Sequence, residues 1–258
     1  MKLAANISLL FRDLPLLQRI TQARQLGFSG VEVQFPYELA VSDWQSALQA
    51  ADMPLVLINL PAGDFMQGGD GLACHPQRKH AFRQALEQAL PYLDTLQPEV
   101  FNILAGRQPL EYETQACLDC LLDNLQFACE RLADYPLRIT CEPINNLDQP
   151  RYLTPRVADW TRLAEALQQP AFGLQLDIYH AARMQEDLTA LIKEYAAQLA
   201  HIQFADSPGR SHPGTGNLNL DDLFQQLAEV GYSHWLAAEF PADSHEDFTW
   251  LSHIHGIL

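Results

Sequence analysis

Four oxygen-bearing side chains, Glu142, Asp177, Gln203 and Glu239, stand at or near the ends of apolar runs: "LRITCEP", "FGLQLDIYH", "LAHIQFAD" and "HWLAAEFP". Oxygen donors suit a hard divalent cation, and this set favours magnesium or manganese over zinc, which prefers histidine and thiolate. Three carboxylates gathered in one place would repel one another unless a cation neutralised them. Two more residues could receive an anion: His180, three after Asp177, and Arg210 in the loop "SPGRSHPGTG". With a cation they would make a positive pocket inside an acidic protein. Taken singly, an acidic residue at a strand end is ordinarily a solvated turn residue, a lone histidine a satisfied hydrogen-bonding group and a loop arginine a solvent-facing one. Their succession along the chain is what needs explaining.

The elements that must position them are visible as eight strand-like runs, at 3–8, 30–35, 54–60, 99–106, 137–143, 172–180, 199–206 and 234–241. Between them lie stretches such as "LLQRITQARQLGF", "KHAFRQALEQALPYL", "DLTALIKEYAAQLA" and "DDLFQQLAEVGY", whose apolar residues recur at helical spacing. Strict alternation of strand and helix implies parallel strands joined by crossover helices. Eight such units, with no linker or composition break, predict an α/β fold: a single (β/α)8 TIM barrel domain spanning 1–258, close to the length of about 250 residues typical of that barrel. The runner-up, an open doubly wound sheet, would need edge strands that the sequence does not obviously provide.

In such a barrel the C-terminal strand ends build the active site. Strand parity then assigns faces, because alternate residues point to opposite sides. Gly173, Gln175 and Asp177 alternate with Leu174, Leu176 and Ile178, and His201, Gln203 and Ala205 with Ile202 and Phe204; in the last run Ala237 and Glu239 alternate with Leu236, Ala238 and Phe240. The apolar sets suit the covering helices, which turns the polar sets inward.

Composition narrows the partners to a small molecule. Thirty-two acidic residues against 16 basic ones give a formal net charge of −16, which repels nucleic acid and anionic membranes, since both are bound through Lys and Arg. No run approaches the roughly 18 apolar residues of a membrane span, and the opening "MKLAANISLLFRD" does not read as a signal peptide. The five cysteines are odd in number and follow no secreted framework, which points to a reducing cytoplasm. Cys117 and Cys120 form a CxxC, but on a helical pattern with no second ligand pair nearby they read as packing positions.

With these residues in view, the chain resembles the hydroxypyruvate isomerase family of the xylose-isomerase-like barrels, relatives of the ketose 3-epimerases. The marks are "AANIS", "GFSGVEVQFPY", "NLPAGD", "GLACHPQR", "CEPINNLD", "QLDIYHAARM", "HIQFADSPGR", "HPGTGNLN" and "AAEF". The resemblance implies that Glu142 and Glu239 act as an acid/base pair while ligating a divalent metal together with Asp177 and Gln203. Similarity to the epimerase branch implies that His180 and Arg210 hold substrate oxygens and that Asp148 touches the substrate's terminal group. Two motifs depart from the family pattern: His212 and Asn217 replace glutamates of an "EPGTGE" loop, and Gln77 replaces the glycine of "PGR". Both changes lie where substrate preference or subunit contacts are set, and the oligomeric state stays open.

The implied reaction is ketone–aldehyde exchange through a cis-enediolate, hydroxypyruvate going to tartronate semialdehyde. A 2-oxo-tetronate isomerase and a ketose 3-epimerase are the nearest alternatives. Two readings of other classes are weaker: an apurinic endonuclease calls for more histidine ligands and a basic surface, and a non-catalytic sugar-acid binder has no need of two glutamates.

Overall fold

The computed structural model describes residues 1–257. Its strands are β1 (Lys2–Asn6), β2 (Gly30–Val33), β3 (Leu55–Asn59), β4 (Val100–Asn102), β5 (Arg138–Thr140), β6 (Phe172–Asp177), β7 (Leu199–Phe204) and β8 (Trp235–Ala238). Each pairs in parallel with the next, and β8 returns to β1 to close a (β/α)8 barrel. The helices among the described residues are α1 (Gln18–Gln25), α2 (Val41–Ala51), α3 (Lys79–Leu96), α4 (Thr114–Arg131), α5 (Val157–Leu167), α6 (Ile178–Arg183), α7 (Leu188–Glu194), α8 (Leu220–Glu229) and α9 (Trp250–Ile257).

Each long helix forms because its apolar residues fall on one stripe. In α8 the buried residues are Leu220, Leu223, Phe224 and Leu227, a spacing of three, four and seven. The Asn219 side chain caps that helix by accepting from the Asp222 N–H, and Asp221 and Asp222 sit in the first turn, where negative charge is favoured. The same logic disposes of the CxxC. Cys117 and Cys120 lie on the buried face of α4 with Leu121, Asn124 and Leu125, all five cysteines are free and buried, and burial pushes the Cys120 thiol up to about 11.

Inside the barrel the period-two pattern stacks two zones. At the N-terminal end Ala4, Val56, Leu57, Val100, Trp235 and Ala237 form an apolar plug. Gly30 belongs to it because a Cβ there would lie 2.8 Å from the Trp235 ring and 2.9 Å from Val56. Two residues further along the strands, on the same inward face, stand Asn6, Glu32, Asn59, Asn102 and Glu239, all buried. The plug fills the base, so the polar layer forms the floor of whatever opens above it.

All eight expected strands are present, with shifted ends. The run at 172–180 ends as a strand at Asp177 because the Asp177 carboxylate accepts from the N–H groups of Tyr179 and His180, at 2.7 and 3.2 Å, and so caps α6. His180 therefore sits on the first turn of a helix and not on the strand. The run at 187–200 is helical only to Glu194, and residues at 99–106 and 137–143 beyond Asn102 and Thr140 leave the ladder as loops.

Candidate active site

Glu142 lies two residues beyond β5, Asp177 ends β6, Gln203 is the penultimate residue of β7 and Glu239 follows β8 directly. All four are buried at the C-terminal end of the barrel. Asp177 and Gln203 are direct neighbours in the β6–β7 register. One oxygen from Glu142, one from Asp177 and one His180 nitrogen all lie within 4.8 Å of one another. On the other side Arg210 reaches in, its Nη2 3.2 Å from Glu239 Oε2 and 3.8 Å from Asp177 Oδ2. The guanidinium also sits 5.2 Å from the Tyr179 ring centre, within cation–π range.

Five of these side chains line a cavity of about 130 Å³. Glu142, His180, Gln203, Arg210 and Glu239 give it a polar wall, while Leu57, Phe65, Met66, Leu104 and Ile144 give it an apolar one. Of the residues expected from the sequence, two are not on this wall: Asp177, which stands 3.7 Å from His180 and 3.8 Å from Arg210, and Asp148. The Asp148 carboxylate accepts from Tyr179 Oη at 2.6 Å and from Asn145 Nδ2 at 3.0 Å, with Arg183 3.6 Å away.

Asn145 connects Asp148 to His180 and fixes the imidazole. The Asn145 carbonyl oxygen accepts from the N–H groups of Leu147 and Asp148, so its amide nitrogen must face His180 Nδ1, at 2.6 Å. An amide donor makes Nδ1 the acceptor, which leaves the ring proton on Nε2, the nitrogen that stands 3.9 Å from Glu142 and 3.7 Å from Asp177. In that tautomer His180 offers a hydrogen-bond donor to the site. Burial pushes its pKa down to about 4, against the opposing pull of Asp177.

Burial also drives the acids toward their neutral forms. It raises Glu142 well above the usual carboxylate range, helped by the charges of Glu239 and Asp177. Glu239 is pushed up to about 8 by burial, with Arg210 opposing the rise. Arg210 loses by burial, but Glu239, Asp177 and Glu142 more than compensate and hold it charged. Within this cluster Asp177 Oδ2 is buried without a hydrogen-bond partner. A buried orphaned carboxylate oxygen beside two crowded glutamates fits a divalent cation, since a cation satisfies the oxygen and relieves the repulsion.

Sequence reasoning missed the residues beneath this layer. Glu32, fully buried, accepts from Asn6 Nδ2 at 2.7 Å, His201 Nε2 at 2.7 Å and Gln203 Nε2 at 2.8 Å. From it two chains of amides run upward. Asn6 donates also to Glu239 at 2.9 Å; the Gln203 carbonyl accepts from Gln175 Nε2 at 2.6 Å, and that nitrogen lies 3.1 Å from Glu142 Oε2. A carboxylate accepts only, so Glu32 dictates which way the Gln203 amide faces, and its carbonyl is turned toward Gln175. The signal was available: in "GVEVQF" Glu32 is the inward residue two after Gly30, a charge where the strand pattern demands burial.

The chain is similar in sequence and fold to known proteins over nearly its whole length. A profile for the xylose isomerase-like TIM barrel matches residues 20–255. The chain is 33% identical to the hydroxypyruvate isomerase of Escherichia coli K12, over 93% of both chains. It is 31% identical to a 2-oxo-tetronate isomerase of Cupriavidus necator, over 93% of this chain and 92% of that one. A crystal structure from Brucella melitensis, described as an AP endonuclease of family 2, superposes with a TM-score of 0.93 at 31% identity, covering 98% of each chain. The matched profile and the long full-length relatives together make this chain a member of the xylose isomerase-like TIM barrel family, and within it of the hydroxypyruvate isomerase family.

Proposed function

We propose that this protein is an isomerase of a small hydroxy-oxo acid, interconverting ketone and aldehyde, with hydroxypyruvate and tartronate semialdehyde the foremost pair. The observation that carries this reading is the pairing of two buried glutamates, Glu142 and Glu239, set three strands apart around one small cavity. Removing a proton from the carbon beside a carbonyl needs a base in contact and stabilisation of the oxyanion that develops. One glutamate takes that proton to give a cis-enediolate, a glutamate returns a proton to the neighbouring carbon, and the hydroxyl proton passes to the former carbonyl oxygen, so that ketone and aldehyde exchange places. Names of relatives at 31–33% identity support the same class.

A magnesium or manganese ion would be held by Glu142, Asp177, Gln203 and Glu239 and would supply Lewis-acid stabilisation of the oxyanion. His180 donates from Nε2 to a substrate oxygen, and Arg210 pairs with the substrate carboxylate, the positive partner an anion needs in a protein of net charge −16. Asp148 acts from outside the wall: through Asn145 and Tyr179 it steadies His180 and the floor under Arg210. The five free, buried thiols suit a reducing cytoplasm.

An endonuclease reading, prompted by the description of the Brucella melitensis protein, fares worse. The net charge repels DNA, and among the described residues His180 is the one histidine on the cavity wall. The test is a screen of three-carbon to six-carbon 2-oxo and 2-hydroxy carbonyl compounds, with and without chelator, alongside abasic-site DNA. Turnover of three-carbon or four-carbon acids that chelator abolishes supports the proposal. Cleavage of the DNA with no isomerisation overturns it.

A further inference from the structure

The loop after β7 carries Arg210, and its shape is unusual for the residues it contains. Arg210 has φ +50, a left-handed conformation that a non-glycine residue holds only when its surroundings impose it. The loop is exposed along much of its length, so packing alone does not impose it.

What does is Asp206, the last residue of "HIQFAD" and one with no role in the chemistry above. Its side chain is buried and both oxygens are fully engaged. Oδ1 accepts from the N–H groups of Ser207 at 2.8 Å and Leu218 at 3.1 Å; Oδ2 accepts from those of Gly214 at 3.0 Å and Gly216 at 2.8 Å. The Asp206 N–H donates to the Ser211 carbonyl at 2.8 Å, tying the residue next to Arg210 back to the strand end. The glycines of "PGTG" follow from this. A Cβ on Gly216 would lie 2.2 Å from the Ser207 carbonyl oxygen and 2.5 Å from Asp206 Oδ1, and Gly214 has φ +86.

We propose that Asp206 is a positioning residue: its carboxylate gathers four backbone N–H groups of the 207–218 loop and thereby sets Arg210 over the cavity. The claim rests on the reading of Arg210 as the anchor for a substrate carboxylate. The Asn217 N–H also donates to the Ser207 carbonyl at 2.8 Å, but it is the Asp206 carboxylate that gathers 207 on one limb together with 214, 216 and 218 on the other. An asparagine in its place keeps the size and removes one acceptor oxygen, so one pair of N–H groups loses its partner.

The test is a double-mutant cycle with Asp206→Asn and Arg210→Ala, measuring kcat and KM for the acidic substrate, together with amide hydrogen exchange of residues 207–218. We expect Asp206→Asn to raise KM about tenfold with kcat within threefold, and to change KM less than twofold when Arg210 is already alanine. Exchange in 207–218 rises at least tenfold while the barrel strands stay protected. Gly214→Ala, on an open stretch of the loop where φ is positive, should shift KM and exchange in the same direction by a smaller factor. An equal effect of Asp206→Asn with and without Arg210 overturns the proposal, as does unchanged loop exchange. Should Arg210→Ala alone leave KM unchanged, the anchor reading fails separately, and the proposal as stated fails with it even if loop exchange rises.

Discussion

Arg210 and Glu239 form a 3.2 Å ion pair at the C-terminal end of the barrel, the arginine entering from the loop after β7 and the glutamate from the end of β8. In the proposed reaction the pair sets the cation that would face the substrate against one of the two candidate proton carriers. An entering carboxylate would compete with Glu239 for the same guanidinium, which would couple binding of the acid to release of the glutamate.

Replacing Arg210 with alanine should therefore act on binding first. KM for a three-carbon acid rises by about 10- to 100-fold, and KM for a neutral ketose by less than about threefold. Steady-state kinetics on the two substrates side by side checks this. Equal losses for both would mean that Arg210 holds Glu239 and not the substrate.

Asp177 separates metal binding from proton transfer. One of its oxygens caps α6 and the other is buried without a partner. Asparagine can keep the cap while turning an amide toward the cluster, so Asp177→Asn should weaken manganese by about a hundredfold or more, beyond what outer-shell changes cost. Excess cation should restore part of the activity. In the unaltered protein, manganese at a hundredfold over its Kd adds about 2.7 kcal/mol, or about 5 to 10 °C in Tm for a chain of this size. Calorimetry with and without chelator reads both, and an unchanged melt would remove the metal site.

Glu32 tests whether the buried network matters to the fold. Glu32→Ala strands three buried donors, from Asn6, His201 and Gln203, at once. Each buried donor left unsatisfied costs about 1 to 3 kcal/mol, so the three together should cost at least about 3 kcal/mol. Urea unfolding should show that loss, and a change under about 1 kcal/mol would show that water or a rearranged network replaces the carboxylate.

The barrel was legible in the sequence because its signals are local. Eight apolar runs alternate with amphipathic stretches, and inward parity alone brings Asp177, Gln203 and Glu239 to one end. Strand ends were less legible. Asp177 closes β6 by capping α6, a side-chain event that leaves the apolar pattern through His180 unchanged. Glu32 was hidden for the opposite reason: its three partners come from β1 and β7, strands at other points of the chain, and a single acidic residue inside an apolar run says nothing of who will satisfy it. Asp148 is expected beside the substrate by resemblance alone; its bonds to Asn145 and Tyr179 are a matter of loop packing that no spacing rule reports.

In the proposed reaction two glutamates move protons, and the direct measurement is exchange of the substrate's carbon-bound hydrogen, followed by proton NMR in heavy water. It is made on the unaltered protein, Glu142→Gln and Glu239→Gln at saturating manganese. Glutamine keeps the size and one oxygen but abolishes basicity, so each variant should lose about two to four orders of magnitude in exchange and turnover, while manganese still binds. Exchange at close to the unaltered rate in both variants would contradict the two-glutamate mechanism and make His180 the next base to examine.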